Sequence, residues 1–120
     1  MLTNRRTFLK STLATVISVA RPWLLTASTP RRKKIAALST TYHVRSHSDN
    51  FITRFLEGYW INNQYHDPPC DVASIYIEQE HDADVSTRLA NSWGVSKYPT
   101  IQQALTLGTR KLAVDGILII

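Results

Sequence analysis

The stretch that decides the fold reads Ile35-Ala36-Ala37-Leu38-Ser39-Thr40-Thr41-Tyr42-His43. Its first four residues are a short apolar run, which is typical of a strand buried on both faces. Polar residues fill 39–47, and Ser48 or Asp49 can then cap a helix. The apolar side chains of that helix share one face, at Phe51, Ile52, Phe55, Leu56, Tyr59 and Trp60. The stretch therefore predicts a buried strand that leads through a polar loop into an amphipathic helix.

The same alternation continues to the end of the chain. Residues 62–69 form a turn-rich loop with a Pro-Pro pair, and 78–82 form an acidic loop. Further strands are predicted at 72–77, 95–98 and 116–120. Further helices are predicted from Asp82 or Asp84 to Gly94, and from Pro99 or Thr100 to Gly108. Inward-facing residues on these helices are Val85, Leu89, Ala90, Trp93, Ile101, Ala104 and Leu105, and Trp60 and Trp93 are expected in the core.

Strands that alternate with helices predict an α/β fold with an open parallel sheet in three layers. A parallel strand needs cover on both faces, and nothing in the sequence covers the apolar residues 117–120. We therefore expect the fold to be incomplete at the C-terminus. A missing C-terminal domain or a partner chain would then cover the last strand.

Charge and cysteine content exclude two classes of protein. The net charge is +5, but residues 1–34 hold eight of the fourteen basic residues and no acidic residue. The body, 35–120, has six scattered basic residues against nine acidic ones, which is not the clustered surface of a nucleic-acid-binding protein. One cysteine, Cys70, excludes an intramolecular disulfide.

The N-terminal segment resembles a twin-arginine export signal. Its matching residues are Arg5, Arg6, Phe8, Leu9 and Lys10, followed by a short, mildly apolar stretch that Arg21 and Pro22 interrupt. We divide the chain into a signal and linker (1–32) and a folded domain (33–120). The resemblance implies the twin-arginine translocase as a partner and a periplasmic or otherwise exported protein.

Two cleavage sites remain open, after Ala20 and after Ala27, and without cleavage the segment would act as a membrane anchor.

The body resembles the N-terminal Rossmann domain of the glucose–fructose oxidoreductase and inositol dehydrogenase (Gfo/Idh/MocA) family. The resemblance rests on the first strand and its turn at 34–47, on Ala90-Asn91-Ser92-Trp93-Gly94-Val95, and on Val114-Asp115-Gly116-Ile117. It implies an NAD(P)-dependent oxidoreductase in which Glu78 takes the place of the acidic residue after the second strand. Neither the Glu-Lys-Pro motif nor the downstream His of that family occurs, so this chain alone is expected to be catalytically inactive.

The phosphate-binding turn departs from the family pattern. Its three glycines are replaced in register by Ser39, Thr41 and Val44, and we expect these side chains to disfavour NAD(P) and the branched Val44 to crowd the strand–helix contact. The hydroxyls and N–H groups of this turn could still bind an anion, or they could cap the helix and satisfy the loop. The candidate cofactor-binding residues are Ser39, Thr40, Thr41, Tyr42 and Glu78.

No catalytic residue and no metal site is assigned. His43 and His47 are spaced like two metal ligands, but nothing completes a site, and we interpret them as part of a polar rim. Two functions follow. The chain is either the dinucleotide-domain-like fragment of an exported oxidoreductase-like protein, with a degenerate phosphate turn, or a non-catalytic periplasmic binding or scaffold domain with a Rossmann-like fold. A small-molecule ligand is compatible with both.

Overall fold

The computed structural model describes residues 29–120. The predicted signal residues therefore lie outside the described part of the chain. No helix within 29–120 is both long and apolar enough to cross a membrane. The elements are β1 (Lys33–Ser39), α1 (His47–Glu57), β2 (Tyr59–Ile61), β3 (Gln64–His66), β4 (Cys70–Ile77), α2 (Ser86–Trp93), β5 (Ser96–Lys97), α3 (Ile101–Thr106) and β6 (Gly116–Ile119).

The main sheet has four parallel strands in the order β5-β4-β1-β6. Strand β1 lies between β4 and β6, with Ile35 opposite Val72 on one side and Gly116 on the other. The register of β1 and β4 shifts between Ile35 and Ala36. The predicted α/β fold with an open parallel sheet is therefore confirmed.

Two apolar clusters lie on opposite faces of this sheet. One joins Ala37 and Ile75 to the helices α1 and α2 through Ile52 and Leu89. The other joins Ala36 and Leu38 to α3 through Ala104. Successive residues of β1 thus point to opposite faces, as strand geometry requires, and the sheet forms the middle of three layers.

Helix α1 begins and ends earlier than predicted. Its N-cap is Ser46, whose hydroxyl accepts a hydrogen bond from the N–H of Asp49, 3.1 Å away, so the predicted caps Ser48 and Asp49 are wrong. It ends at Gly58, whose positive φ of 77° stops the helix. Tyr59 and Trp60, predicted on the helix, instead form the antiparallel hairpin β2–β3 with part of the predicted 62–69 loop.

Both tryptophans of the body were predicted in the core, and both predictions are wrong. Trp60 is 71% exposed, because it lies on the hairpin and packs edge-on against Tyr65. Trp93 is 48% exposed in the last turn of α2. Ile101, in the first turn of α3, is also exposed, while Ala104 of that helix is buried as predicted.

The caps of α2 and α3 follow the sequence closely. Helix α2 has Val85 at its N-cap position, and the predicted Asp84 lies one residue earlier, where its carboxylate accepts from the Ser86 N–H. Gly94 ends α2 in the left-handed conformation, as predicted. Thr100 caps α3, and Leu107, directly before the predicted Gly108, ends it.

A candidate ligand cleft at the carboxyl end of the sheet

The order of the strands creates a switch point beside β1. The chain runs from β1 outward to β4 and β5, and then returns to the other side of β1 to form β6. The loop that leaves β1 leads to α1 on one face of the sheet, whereas the chain enters β6 from α3 on the other face, so the connections on the two sides of this point diverge. Open α/β sheets bind their ligands in the crevice that such a divergence leaves at the carboxyl ends of the strands.

A cleft of about 410 Å³ occupies this position. Its walls are the end of β1, the loop to α1, the first turn of α1 and the residue after β6. The lining residues are Ser39, Thr40, Thr41, His43, Arg45, Ser46, His47, Ser48 and Ile120. The sequence-predicted turn at 39–47 therefore lines a cleft at the switch point.

Hydroxyl groups close the turn between β1 and α1. Ser39 and Ser48 are both buried, and their hydroxyls hydrogen bond with each other. Each hydroxyl also lies within hydrogen-bond distance of the carbonyl oxygen of Thr41, at 3.0 Å for Ser39 and 2.6 Å for Ser48. Because each serine has one hydroxyl proton, one of them donates to Thr41 while the other donates to its partner serine. The two serines thus satisfy the loop backbone themselves, and the small Ser48 allows α1 to pack closely on β1.

Val44 does not crowd that contact. The expectation that its branched side chain obstructs the strand–helix packing is wrong, because Val44 is 61% exposed in the loop. Val44 lies in the loop, three residues before α1 begins at His47, and not on the helix. Ser48 is the residue that faces β1 at the point of close approach.

The first turn of α1 offers backbone donors to the cleft. Asp49 engages the loop, because its carboxylate accepts from the N–H of Arg45 at 2.8 Å. Among residues 29–120, no group accepts a hydrogen bond from the backbone N–H of His47 or from that of Ser48. Such unpaired N–H groups at the start of a helix are suited to an anion.

The cleft also carries one arginine and two histidines. Arg45 lies in the loop with a φ of 66°, and within the described part of the chain its guanidinium forms no ion pair. His43 and His47 line the same cleft, and the His43 ring packs against that of His81 with 5.2 Å between centroids. In residues 29–120, no group of three His, Cys, Asp or Glu side chains could hold a metal ion.

The candidate residues fall in three different places. Ser39, Thr40 and Thr41 line the cleft. Glu78 lies in a second recess, of about 200 Å³, on the α3 side of β1, and its N–H donates to the Ser39 carbonyl at 3.0 Å. Ser39 and Thr40 line both recesses, so they separate Glu78 from the larger cleft.

Tyr42 points away from both recesses. Its side chain is completely buried in the core between the sheet and the helices α1 and α2, and its hydroxyl lies 2.7 Å from that of Thr53. Burial raises the pKa of this phenol to about 12. Tyr42 therefore holds the loop against the core and does not line the cleft.

Arg45 and Ser48 were not among the predicted binding residues. Arg45 is the only arginine or lysine of 35–53, so its place in the polar loop was a signal that could have identified it. For Ser48 no such signal existed, because its role depends on the distance between α1 and β1.

Comparison of the chain with protein-family models, with curated proteins and with solved structures finds no match.

Proposed function

We propose that this chain is the ligand-binding, Rossmann-like part of an exported oxidoreductase-like protein, and that it binds a small molecule bearing a phosphate group in the switch-point cleft. The observation that carries the proposal is the coincidence of the cleft with the switch point beside β1. The proposal assigns no catalytic residue to this chain.

The chemistry of the cleft supports an anionic ligand. Among the described residues, the N–H groups of His47 and Ser48 and the guanidinium of Arg45 have no partner, and they would contact the phosphate from two directions. Hydrogen bonds between charged groups are about twice as strong as neutral ones, so Arg45 would contribute most. Thr40 and Thr41 add hydroxyl groups along the cleft wall.

Calorimetric titration with inorganic phosphate, NAD and NADP tests this proposal. Tryptophan fluorescence is a poor reporter, since Trp93 lies at the end of α2 that is remote from the cleft. We expect at least one of the three probes to bind, and Arg45→Ala to weaken binding about tenfold or more. Arg54→Ala is the matched control, because it removes an exposed arginine from the last turn of α1. The proposal is overturned if no probe binds, or if both variants weaken binding equally.

A second function, a non-catalytic binding or scaffold domain, is favoured by the serine bridge. The hydroxyls of Ser39 and Ser48 bond with each other and occupy the carbonyl oxygen of Thr41, whereas a dinucleotide turn would leave its backbone open to a diphosphate. Thr41→Gly distinguishes the two functions. It should strengthen NAD or NADP binding if this loop is a degenerate phosphate turn, and should leave a scaffold domain without affinity for either nucleotide.

Export is proposed on the sequence signal alone. Replacing Arg5 and Arg6 by lysine keeps the charge but removes the twin-arginine pair. We expect the precursor to remain in the cytoplasm, as measured by cell fractionation and immunoblotting. Export of the double variant at the normal level would contradict the twin-arginine route. The experiment is independent of the ligand, so it cannot be confused with a failure of the cleft proposal.

A further inference from the structure

His43 and Asp84 form a close pair at the side of the cleft. The loop after β1 and the loop before α2 meet at these two residues as an antiparallel bridge, and the N–H of Val85 donates to the carbonyl of Tyr42 at 2.9 Å. His43 and Asp84 are therefore the non-hydrogen-bonded pair of the bridge. The side chains of such a pair lie on the same face, with Cβ atoms about 5 Å apart. His43, which lines the cleft, thus has the carboxylate of Asp84 as its neighbour.

The carboxylate of Asp84 is buried and incompletely hydrogen-bonded. Its side chain is only 9% exposed, and its Oδ1 accepts from the N–H of Ser86 at 2.8 Å and from the hydroxyl of the same residue. Among residues 29–120, no group donates to its buried Oδ2. Lys97 lies 3.9 Å from Oδ1, but its ammonium contacts Glu80 at 2.6 Å and Thr87 at 3.0 Å. A buried carboxylate that lacks a donor favours a positive charge on a neighbouring group.

Two histidines lie close enough to carry this charge, and their hydrogen bonds distinguish them. The Nδ1 of His43 lies 3.1 Å from the carbonyl oxygen of Val44, so it donates, and Nε2 is the nitrogen that can accept a proton. The Nδ1 of His81 instead accepts from the N–H of Ala83 at 3.2 Å. Protonation of His81 would break that hydrogen bond, because both nitrogens of an imidazolium are donors. The two rings are 5.2 Å apart, so His43 is the one that takes the charge.

We propose that the binding of an anion in the cleft is coupled to the uptake of one proton at Nε2 of His43. This inference rests on the proposed anion-binding function and adds its regulation by pH. The proton comes from solvent, and both the anion and the carboxylate of Asp84 stabilise the imidazolium that forms. Arg45 lines the same cleft and opposes a second positive charge there, and a bound anion offsets that repulsion. The titratable and charged groups around His43 are Arg45, His47 and Asp49 on the side of α1, and His81, Asp84 and Lys97 with its partner Glu80 on the side of α2.

Calorimetric titration of the full chain with inorganic sulfate at several pH values tests the coupling. Sulfate keeps its double negative charge from pH 5.5 to pH 8, so a change in affinity reports on the protein. We expect the affinity to rise about tenfold or more from pH 8 to pH 5.5, since a proton taken up with the ligand changes the affinity by up to about tenfold per pH unit. His43→Asn should abolish this dependence. His47→Asn, the same substitution at the other histidine of the cleft, should retain it.

The outcomes separate this inference from the proposed function. Sulfate binding that does not change with pH, or a pH dependence that survives in His43→Asn, overturns the coupling and leaves the ligand site in place. A dependence that His47→Asn also abolishes overturns the assignment to His43. Absence of sulfate binding at pH 5.5 overturns the inference as well, whereas the proposed function is judged by the titrations with phosphate, NAD and NADP.

The number of protons taken up can be measured on the wild-type chain, so it does not depend on the folding of a variant. Sulfate titrations at pH 7 in two buffers with different heats of ionisation give this number from the difference in the measured heat. We expect net uptake by the wild type and less uptake by Asp84→Asn, which removes the charge but keeps an acceptor for Ser86. Asp82→Asn, at an exposed residue of the same loop that forms no ion pair with described residues, should match the wild type. No uptake by the wild type, or equal uptake by Asp84→Asn and Asp82→Asn, overturns the inference.

Discussion

Tyr42 is a completely buried tyrosine whose hydroxyl, among residues 29–120, has one hydrogen-bond partner, Thr53 of α1. Thr53 in turn donates to Asp49 at 2.9 Å, and Asp49 holds the backbone of Arg45. A chain of polar contacts therefore runs from the core to the loop that lines the cleft. Because hydrogen bonds in such a series strengthen one another, a substitution at Tyr42 should also affect the position of Arg45.

We predict that Tyr42→Phe lowers the free energy of unfolding by about 1 kcal/mol, the net value of one buried hydrogen bond. The variant should also lose the tyrosine that ionises last in an absorbance titration, since burial raises the pKa of Tyr42 to about 12. In wild type, the unfolded chain ionises this phenol near pH 10 and the folded chain only near 12. Stability should therefore fall as the pH rises between those values, and less so in the variant. An unchanged titration would contradict the burial of this phenol.

At the scale of elements, two helices end at glycines in different conformations. Gly94 ends α2 at a φ of 64° and ψ of 28°, and an added Cβ would meet no atom within 4 Å. Gly58 ends α1 at a φ of 77° and ψ of −172°, a region that is almost restricted to glycine. There an added Cβ would overlap the ring of Tyr65, whose hydroxyl donates to the Glu57 carbonyl at 3.1 Å.

We predict that Gly94→Ala lowers the free energy of unfolding by about 1 kcal/mol, the cost of a left-handed residue with a side chain. Gly58→Ala should cost more, up to about 3 kcal/mol, because strain and overlap add. Urea unfolding measures both. In a Tyr65→Ala background the cost of Gly58→Ala should fall toward the value for strain alone. If the two alanine variants lose the same free energy of unfolding, the ring of Tyr65 moves away from the added Cβ without cost.

For the whole molecule, ion pairs hold the amino ends of the strands together. Arg32 contacts Asp71 at 2.7 Å and Asp67 at 2.6 Å, and Arg31 contacts Asp115 at 2.7 Å. Asp115 also accepts from the Lys34 N–H at 2.8 Å. These contacts tie the residue before β6 to the start of β1, which are far apart in sequence. Exposed ion pairs contribute little individually, but here one carboxylate also receives a backbone hydrogen bond.

The hydrogen bond from Lys34 and the charge of Arg31 lower the pKa of Asp115 below its ordinary value of 3.8. A carboxylate with a lowered pKa stabilises the folded chain above the pKa of the unfolded state. That stabilisation is lost as the pH falls through the folded value. We predict that the urea midpoint of wild type drops more between pH 6 and pH 3 than that of Asp115→Asn, whose side chain cannot titrate. Parallel pH profiles for the two proteins would contradict this role for Asp115.

The local sequence correctly predicted those structural features that depend only on residues close together along the chain. The apolar runs at Ile35 and Val72 identified central strands, and Gly94 and Thr100 identified helix ends, because hydrophobic period and capping act over one or two turns. The hairpin β2–β3 was missed, since Tyr59 and Trp60 continue the apolar period of α1 beyond the glycine that ends it. Trp60 was placed in the core for the same reason.

The amino-acid sequence by itself determined the fold class and the order of the helices and of the strands in the main sheet, because alternating apolar segments of these lengths can be buried only in a layered sheet. It also located the polar loop after β1. Only the tertiary structure decided that Tyr42 turns into the core, that Glu78 lies in a separate recess, and that Arg45 and Ser48 reach the cleft. The physical reason is that the orientation of a side chain in a loop depends on contacts with residues distant in sequence. Here those contacts are Tyr42 with Thr53 and Ser39 with Ser48.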